Sequence, residues 1–207
     1  MHIADGVLSA QVLAAGAAAA AGGTAVGLKK MDMERVPRVA LMSAAFFVSS
    51  LIHVPAGPSS VHLVLVGLTG IMLGWASFPA MLVALFLQSL LFQFGGLTVL
   101  GVNTLNHAVP AVAVFLLLGG IVRRGGRPAS AAAGAAGGAL GVILAALMTA
   151  FSLVFSGEQF TAAARLIVAA HLPVAAVEGV ISAFVVLLLR RVKPEVLEAP
   201  RAAPQGA

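Results

Sequence analysis

The sequence contains no cysteine, only three lysines, and 9% charged residues among 207 positions. Without cysteine, a disulfide, a thiolate zinc site and an iron–sulfur cluster are all excluded. No lysine precedes a serine or threonine, so a Walker A loop is excluded, and the HExxH and GxSxG motifs are also missing. Soluble domains average about 25% charged residues, so the low charge argues against an ordinary soluble domain.

Apolar residues dominate the composition of the sequence. They make up 60% of the chain, and the mean hydropathy is +1.07. Long apolar runs without a strand-like alternation predict an all-α polytopic membrane protein in the cell membrane. No basic face is interleaved with aromatic side chains, so we expect no nucleic-acid partner. Because no Lys or Arg precedes Lys29, we do not expect a cleaved signal peptide.

Seven apolar segments can be distinguished, which predicts about seven transmembrane helices. The third has about 14 residues, fewer than the ~20 that a helix needs to span a bilayer. We expect residues 1–193 to form one transmembrane domain and residues 194–207 a disordered cytoplasmic tail. The segments are approximately 7–28, 38–54, 61–74, 78–94, 104–122, 131–156 and 163–190.

The distribution of positive charge predicts the orientation. If the N-terminus is outside and each segment crosses once, all but one of the 12 Lys and Arg residues fall on the inner side. Only Arg165 lies near the outer face. The positive-inside rule therefore predicts an outer N-terminus and a cytoplasmic C-terminus. The same map places all five histidines in the outer half of the protein.

The first two residues could chelate a metal ion. The amine of Met1, the amide nitrogen of His2 and its imidazole would close a five-membered and a six-membered ring around one ion. Three nitrogens then lie in a plane, which suits Ni(II), Cu(II) or low-spin Co(II). The amine has a reference pKa of about 7.7–8.0, so its deprotonation is accessible near neutral pH.

A fourth donor would complete the square, and His62 is the best candidate. It follows the Pro/Gly/Ser turn 57–60 and opens the third segment, where Ser59 or Ser60 could cap the helix. The alternative is that His62 is an interfacial histidine hydrogen-bonded to the backbone.

Other polar residues of the outer half could orient these ligands from a second shell. For Asp5, pairing with an outer donor or capping of the first helix are both open, and capping is favoured. The stretch 95–106 is rich in Gly, Thr and Asn, which predicts a re-entrant or cavity-lining connection. The second-shell candidates are Asp5, His53, Ser60, Asn103, Asn106 and His107.

Glu178 lies near the middle of the seventh segment, where a carboxylate is costly and often functional. His171 precedes it by about two turns on the same face. The pair could form a polar relay, or Glu178 could make a buried hydrogen bond that fixes helix packing.

Three blocks of sequence resemble the CbiM/NikM proteins, the substrate-binding (S) components of energy-coupling factor transporters for cobalt and nickel. They are MHIADGVLS, PAGPSSVHLVLVGLTGIMLGWASFPA and LLFQFGGLTVLGVNTLNHAVPA, and the similarity continues through HLPVAAVEGV to about residue 190. The start HIADG is slightly closer to nickel members, which often have HIPDG, than to cobalt members with HIMEG.

The resemblance implies a site for Ni(II) or Co(II), the transported substrate, made by Met1, His2 and His62. It implies no organic cofactor and no enzymatic activity in this chain. The partners implied are a membrane coupling protein of the CbiQ/NikQ type, an ATPase of the CbiO/NikO type and a small accessory membrane protein of the CbiN/NikN type. We expect the accessory to be a separate chain.

Two other classes of function remain open. A stand-alone secondary divalent-metal permease would use Glu178 and His171 as proton-coupled groups. An intramembrane metalloenzyme would need an open coordination position and a general base, and no acidic residue is adjacent to His62 in the sequence.

Overall fold

The computed structural model describes residues 2–51, 53–56 and 59–197, with only the backbone described at 53–56 and 59–61. This part of the chain is predominantly helical and contains one short β-hairpin. The elements are α1 Ala10–Lys29, α2 Val36–Ser49, β1 His53–Ala56, β2 Ser59–His62, α3 Val66–Leu73, α4 Ser77–Phe92, α5 Leu100–Arg124, α6 Arg127–Val154 and α7 Thr161–Val192.

Each predicted apolar segment overlaps one α-helix of the described chain. Five of the spans are long and apolar enough to cross a membrane, which makes the chain a multi-pass membrane protein. α3 and α4 are joined by the 3₁₀ turn Gly74–Ala76 and together form one of these spans, while α2 has 14 residues. Seven crossings and the orientation of the termini therefore stay predictions.

α5 occupies the centre of the bundle, with α1, α3, α4 and α6 packed around it, and α6 packs along α7. Fully buried side chains of four different regions meet in the main core, among them Ile3, Phe46, Met81 and Leu153. Ile3 precedes the first helix, so the N-terminal segment is part of the core.

Glycines of α6 allow three helices to approach one another closely. A Cβ at Gly141 would lie 2.4 Å from the backbone nitrogen of Gly67 in α3. A Cβ at Gly138 would lie 2.4 Å from the backbone oxygen of Glu178 in α7. The small residues of α6 therefore serve packing within this chain.

The hairpin between α2 and α3 was not expected from the sequence. β1 and β2 are antiparallel, with His53 opposite His62 and Ala56 opposite Ser59. The prediction that Ser59 or Ser60 caps the third helix was wrong, because strand pairing continues to His62 and α3 begins only at Val66.

The predicted irregular stretch 95–106 is also shorter than expected. α5 begins at Leu100, so only the residues between α4 and α5 are irregular. The helix extends further because Asn103 and Asn106 hydrogen-bond through their side chains to other parts of the fold and do not compete with their own helix.

The end of the described chain packs against α2. Pro194–Val196 forms a 3₁₀ turn, and Arg38 Nη1 donates a hydrogen bond of 2.9 Å to the backbone oxygen of Val196. Leu197 is buried. The predicted tail falls mainly on residues 198–207, which lie outside the described residues, so its disorder stays a prediction.

The packing of α3 against α5 can be tested at Gly70. Its added Cβ would lie 2.0 Å from the backbone oxygen of Ala111, whereas nothing lies within 4 Å of a Cβ at Gly120. We expect Gly70→Ala to destabilise the protein by about 1–3 kcal/mol through overpacking. Gly120→Ala should be neutral or stabilising by up to about 1 kcal/mol, because Ala favours helix. Thermal unfolding in detergent would measure both, and equal melting temperatures would contradict the contact.

The orientation can be tested by single cysteines, since the native chain has none. Gly126 and Glu158 are both exposed and lie in consecutive loops at the two ends of α6. We expect Glu158→Cys to react with an impermeant maleimide in intact cells and Gly126→Cys to react only after permeabilisation. The opposite pattern would reverse the predicted orientation.

Candidate functional site

Asn103 of α5 holds the N-terminal segment inside the bundle. The backbone N–H of Ile3 donates to Asn103 Oδ1 and the Asn103 amide donates to the backbone oxygen of Ile3, both at 3.1 Å. Both residues are buried. A buried backbone amide and carbonyl must be paired, and a side-chain amide can satisfy both at once. This interaction fixes the position of the neighbouring His2.

The connection between α4 and α5 lies over the same segment. The backbone N–H of Asp5 donates to the oxygen of Gly95 at 3.3 Å, and Asp5 Oδ1 accepts hydrogen bonds from the backbone and hydroxyl of Thr98. Gly95 has φ +80° and Gly96 φ +153°. A Cβ on Gly96 would lie 2.0 Å from Asp5 Cγ, so the close approach requires glycine.

The favoured interpretation of Asp5 as a helix cap was wrong. α1 begins at Ala10 and its N-cap is Ser9, whose hydroxyl accepts from the N–H of Val12 at 3.5 Å. Asp5 is too far from the first helical turn to cap it and instead pairs with Thr98, the other option left open by the sequence. Ser9 N–H also donates to Ser156 Oγ at 3.1 Å, which ties the segment to the end of α6.

The imidazoles of His2 and His62 face each other. His2 Nδ1 lies 3.1 Å from His62 Nε2, the ring centroids are 4.7 Å apart, and the rings are inclined by 15°. Both side chains are buried. Sixty residues separate them in the sequence, so the fold brings together two of the three residues predicted to bind metal. The third, Met1, lies outside the described residues.

His62 is oriented by its own backbone neighbour. Its Nδ1 lies 2.7 Å from the oxygen of Leu63, and because a carbonyl only accepts, Nδ1 carries the proton. In the neutral ring, Nε2 is then the lone-pair nitrogen directed at His2. Burial lowers the pKa of His62, which lies in β2 outside the candidate spans, well below its ordinary value of 6.5. A neutral imidazole is the form that binds metal ions.

His107 packs beside His2. Its ring centroid lies 5.9 Å from that of His2, and Phe46 meets it edge-on at 5.5 Å. His107 Nδ1 donates to the backbone oxygen of Asn103 at 2.7 Å. Its buried Nε2 has no hydrogen-bond partner among the described residues. His107 and Asn103 thus belong to one hydrogen-bonded unit that touches both Ile3 and His2.

The predicted second shell divides into three groups. Asn103, His107 and Asp5 contact the N-terminal segment. Asn106 points elsewhere, since its Oδ1 accepts a hydrogen bond of 3.1 Å from Ser152 of α6. His53 and Ser60 lie in the hairpin, and their side chains are outside the described part of the chain.

Sequence reasoning missed two aromatic neighbours and one polar one. Phe94 stacks with His2 at a centroid distance of 6.4 Å, Phe46 contacts His107, and Thr98 binds Asp5. Apolar residues are so common in this chain that an aromatic ring carries no signal of its own. Thr98 lies in the Gly/Thr/Asn-rich stretch that was expected to line a cavity.

The described side chains alone do not form a complete metal cage. Among the described residues, no group of three or more His, Asp or Glu side chains is arranged to hold a metal ion. A metal site around His2 and His62 would therefore need backbone nitrogen donors as well.

The fold and this histidine cluster define a multi-pass membrane protein that buries its N-terminal segment, including His2, against His62 and His107. The chain belongs to the CbiM family, described as the cobalt uptake substrate-specific transmembrane region, which matches residues 2–196. The resemblance identified from the sequence is therefore confirmed. This is a family of membrane proteins for cobalt and nickel transport.

Individual relatives agree with this assignment. A candidate metal transport protein of Haemophilus influenzae is 42% identical over 199 residues, which cover 95% of this chain and 97% of that protein. The fused nickel transport protein NikMN of Rhodobacter capsulatus is 34% identical over 99% of this chain and 65% of its own length. A crystal structure of a transition metal transporter is 32% identical, covers 93% of both chains and has a TM-score of 0.77.

The role of Asn103 can be tested without any metal. Asn103→Leu removes both partners of Ile3, and an unsatisfied buried group costs about 1–3 kcal/mol. We expect faster hydrogen exchange in residues 3–8, measured by mass spectrometry on the purified protein. Asn106→Leu is the matched control, one turn further along α5, and should leave this exchange unchanged. Equal exchange in the native chain and Asn103→Leu would contradict the anchoring role.

Proposed function

We propose that this chain is the substrate-capture subunit of an ATP-driven uptake transporter of the energy-coupling factor type. It binds Ni(II) or Co(II) through the amine of Met1, the amide and imidazole nitrogens of His2, and Nε2 of His62. The observation that carries the proposal is the 3.1 Å contact between His2 Nδ1 and His62 Nε2.

This contact has a length that suits a planar metal site. Metal–imidazole bonds measure about 2.0–2.1 Å for zinc, so nitrogens at adjacent corners of a square lie roughly 2.9 Å apart. Opposite corners would lie roughly 4.1 Å apart on the same bond length. The separation of His2 Nδ1 and His62 Nε2 is close to the first value. An ion could therefore enter between them with little movement of either ring.

The composition of the donor set favours Ni(II) or Co(II) over harder ions. The described residues around the contact of His2 and His62 offer imidazoles and backbone nitrogens, and the carboxylate of Asp5 is already bound to Thr98. Nitrogen donors in a plane suit Ni(II) and its neighbours, whereas Mg²⁺ and Ca²⁺ require oxygen ligands. Binding releases protons from the amine and the amide, so affinity rises with pH.

The hydrogen bonds that hold the N-terminal segment suggest how the metal ion is captured and released. The ion enters from outside, and the hydrogen bonds of Ile3 and Asp5 close the N-terminal segment over it. ATP-driven movement of the partner subunits then opens the site inward. Release requires the square to weaken, either by protonation or by withdrawal of the segment.

Three partners complete the transporter in this proposal. They are a membrane coupling protein of the CbiQ/NikQ type, an ATPase of the CbiO/NikO type and a small accessory membrane protein of the CbiN/NikN type. ATP hydrolysis takes place on the ATPase, and this chain is not an enzyme. Family membership supports such a system.

The geometry gives less support to a stand-alone permease. That alternative needs Glu178 and His171 as proton-coupled groups. One oxygen of Glu178 already accepts two backbone hydrogen bonds, and His171 Nδ1 donates to the backbone oxygen of Ile167 at 2.7 Å. Uptake by vesicles containing this chain alone, abolished by Glu178→Gln, would favour the permease instead.

The binding site can be tested by calorimetry with Ni(II) and Co(II) on the purified chain. We expect His2→Ala and His62→Ala each to lower the affinity by more than the ~10–100-fold typical of losing an outer-shell partner, because each removes a direct ligand. His171→Ala is the control, because His171 Nδ1 donates to the backbone oxygen of Ile167 within its own helix, and it should bind as the native chain does.

The amine of Met1 needs its own experiment. One residue added before Met1 moves the amine away from the chelate rings, so we expect tight binding to be lost. Mass spectrometry of the purified native chain should find Met1 retained. Full affinity in the extended variant would remove the amine from the proposed donors and leave His2 and His62 to be judged by their own variants.

A further inference from the structure

Glu178 is a fully buried carboxylate with partners on another helix. It lies in α7, and its Oε1 accepts hydrogen bonds from the backbone N–H groups of Val64 and Leu65, the latter at 2.8 Å. More than one hundred residues separate donor and acceptor in the sequence. A carboxylate in this apolar helix is costly unless it is well paired, so the contact calls for an explanation.

The two N–H groups belong to the turn that follows His62. The chain leaves β2 at His62, passes through Leu63–Leu65 and enters α3 at Val66. Leu65 has φ +48°, a left-handed conformation that a leucine rarely adopts and that surrounding contacts must hold. No side chain of the turn itself caps α3. Glu178 Oε1 therefore supplies the acceptor that the start of α3 lacks.

The same turn decides where the imidazole of His62 points. His62 Nδ1 donates to the oxygen of Leu63 at 2.7 Å, which leaves Nε2 directed at His2 Nδ1. Leu63 directly precedes the two residues that Glu178 binds. Hydrogen bonds thus connect Glu178 with the turn and the turn with His62, and His62 in turn contacts His2.

The packing of α6 explains why a glutamate can reach this turn. The backbone of Glu178 lies against Gly138, and the start of α3 lies against Gly141, one turn further along α6. Any larger side chain at Gly138 or Gly141 would push α7 or α3 away. The small face of α6 therefore sets the distance between the carboxylate and the turn.

Glu178 does not form the relay with His171 that their spacing suggested. His171 Nδ1 is bonded to Ile167. Among the described residues, His171 Nε2 and Glu178 Oε2 have no hydrogen-bond partner, so they do not bond to each other. The second hypothesis, a buried hydrogen bond, fits, but it joins Glu178 to the turn beside the metal site.

We propose that Glu178 is a positioning residue for the metal site: it holds the turn 63–65 so that Nε2 of His62 faces His2. This inference rests on the proposed function, because its consequence is measured as metal affinity and geometry. The part of Glu178 that matters is one acceptor oxygen at the correct distance, since Oε2 has no partner in the described structure.

Two substitutions separate the acceptor oxygen from the charge. Glu178→Gln keeps the length of the side chain and one oxygen but removes the charge. Glu178→Asp keeps the charge but is one methylene too short to reach both N–H groups. Ser182→Ala is the matched control, because Ser182 is buried one turn further along α7 and its hydroxyl has no partner among the described residues.

The measurements are Ni(II) affinity by calorimetry and the visible absorption band of bound Ni(II), which reports the geometry of its ligands. We expect Glu178→Asp to bind ~10–100-fold more weakly, as for loss of an outer-shell partner, and to shift the band. Glu178→Gln should bind more tightly than Glu178→Asp and keep the native band. Ser182→Ala should match the native chain in both.

The outcomes separate this inference from the proposed function. If the native chain binds neither Ni(II) nor Co(II), the proposed function fails. If the native chain binds Ni(II), His62→Ala does not, and Glu178→Asp matches the native affinity and band, the positioning role alone is overturned. If Glu178→Gln loses as much affinity as Glu178→Asp, one acceptor oxygen at the correct distance is not sufficient, which also overturns the inference. Size-exclusion profiles and melting temperatures identify a variant that fails to fold. If Glu178→Asp fails to fold, the Ni(II) affinity and absorption band of Glu178→Gln are compared with those of Ser182→Ala, and weaker binding or a shifted band in Glu178→Gln overturns the inference.

Discussion

The pair of hydrogen bonds between Ile3 and Asn103 is the interaction on which the rest of the site depends. A non-helical chain segment inside a membrane protein is stable only where other parts of the protein satisfy its backbone. Asn103 does so from the first turn of the central helix α5, and its backbone oxygen also accepts a hydrogen bond from His107 Nδ1. Because Ile3 directly follows His2, this anchor keeps His2 beside His62.

Glycines allow the close backbone contacts around the site. Gly95 and Gly96 allow the α4–α5 connection to pass directly over Asp5, and Gly138 and Gly141 allow α3 and α7 to share one face of α6. In a bilayer, lipid tails are as apolar as the side chains, so helix association depends on such close contacts. Packing and site geometry are therefore linked: the same small face that joins the helices brings Glu178 to the turn after His62.

Most of the helices could be predicted from the sequence, because a long apolar run indicates a membrane helix whichever helices it packs against. All seven predicted segments overlap a helix. The hairpin was not predicted, since two strands of four residues around a Pro/Gly turn are too short to show periodicity. The predicted cap at Asp5 was wrong because Ser9 caps α1 and Asp5 binds Thr98. The predicted cap at Ser59 or Ser60 was wrong because both residues pair with β1.

The sequence by itself determined that this is a helical membrane protein, that it resembles the CbiM family, and that His2 and His62 are the residues to examine. These conclusions depend on composition and local motifs, which need no knowledge of distant contacts. Only the tertiary structure decided that His2 and His62 face each other, that Asn103 holds the N-terminal segment, and that Glu178 binds the turn beside His62. Each of these contacts joins residues 60 or more positions apart, and the sequence carries no local signal for pairing at that distance.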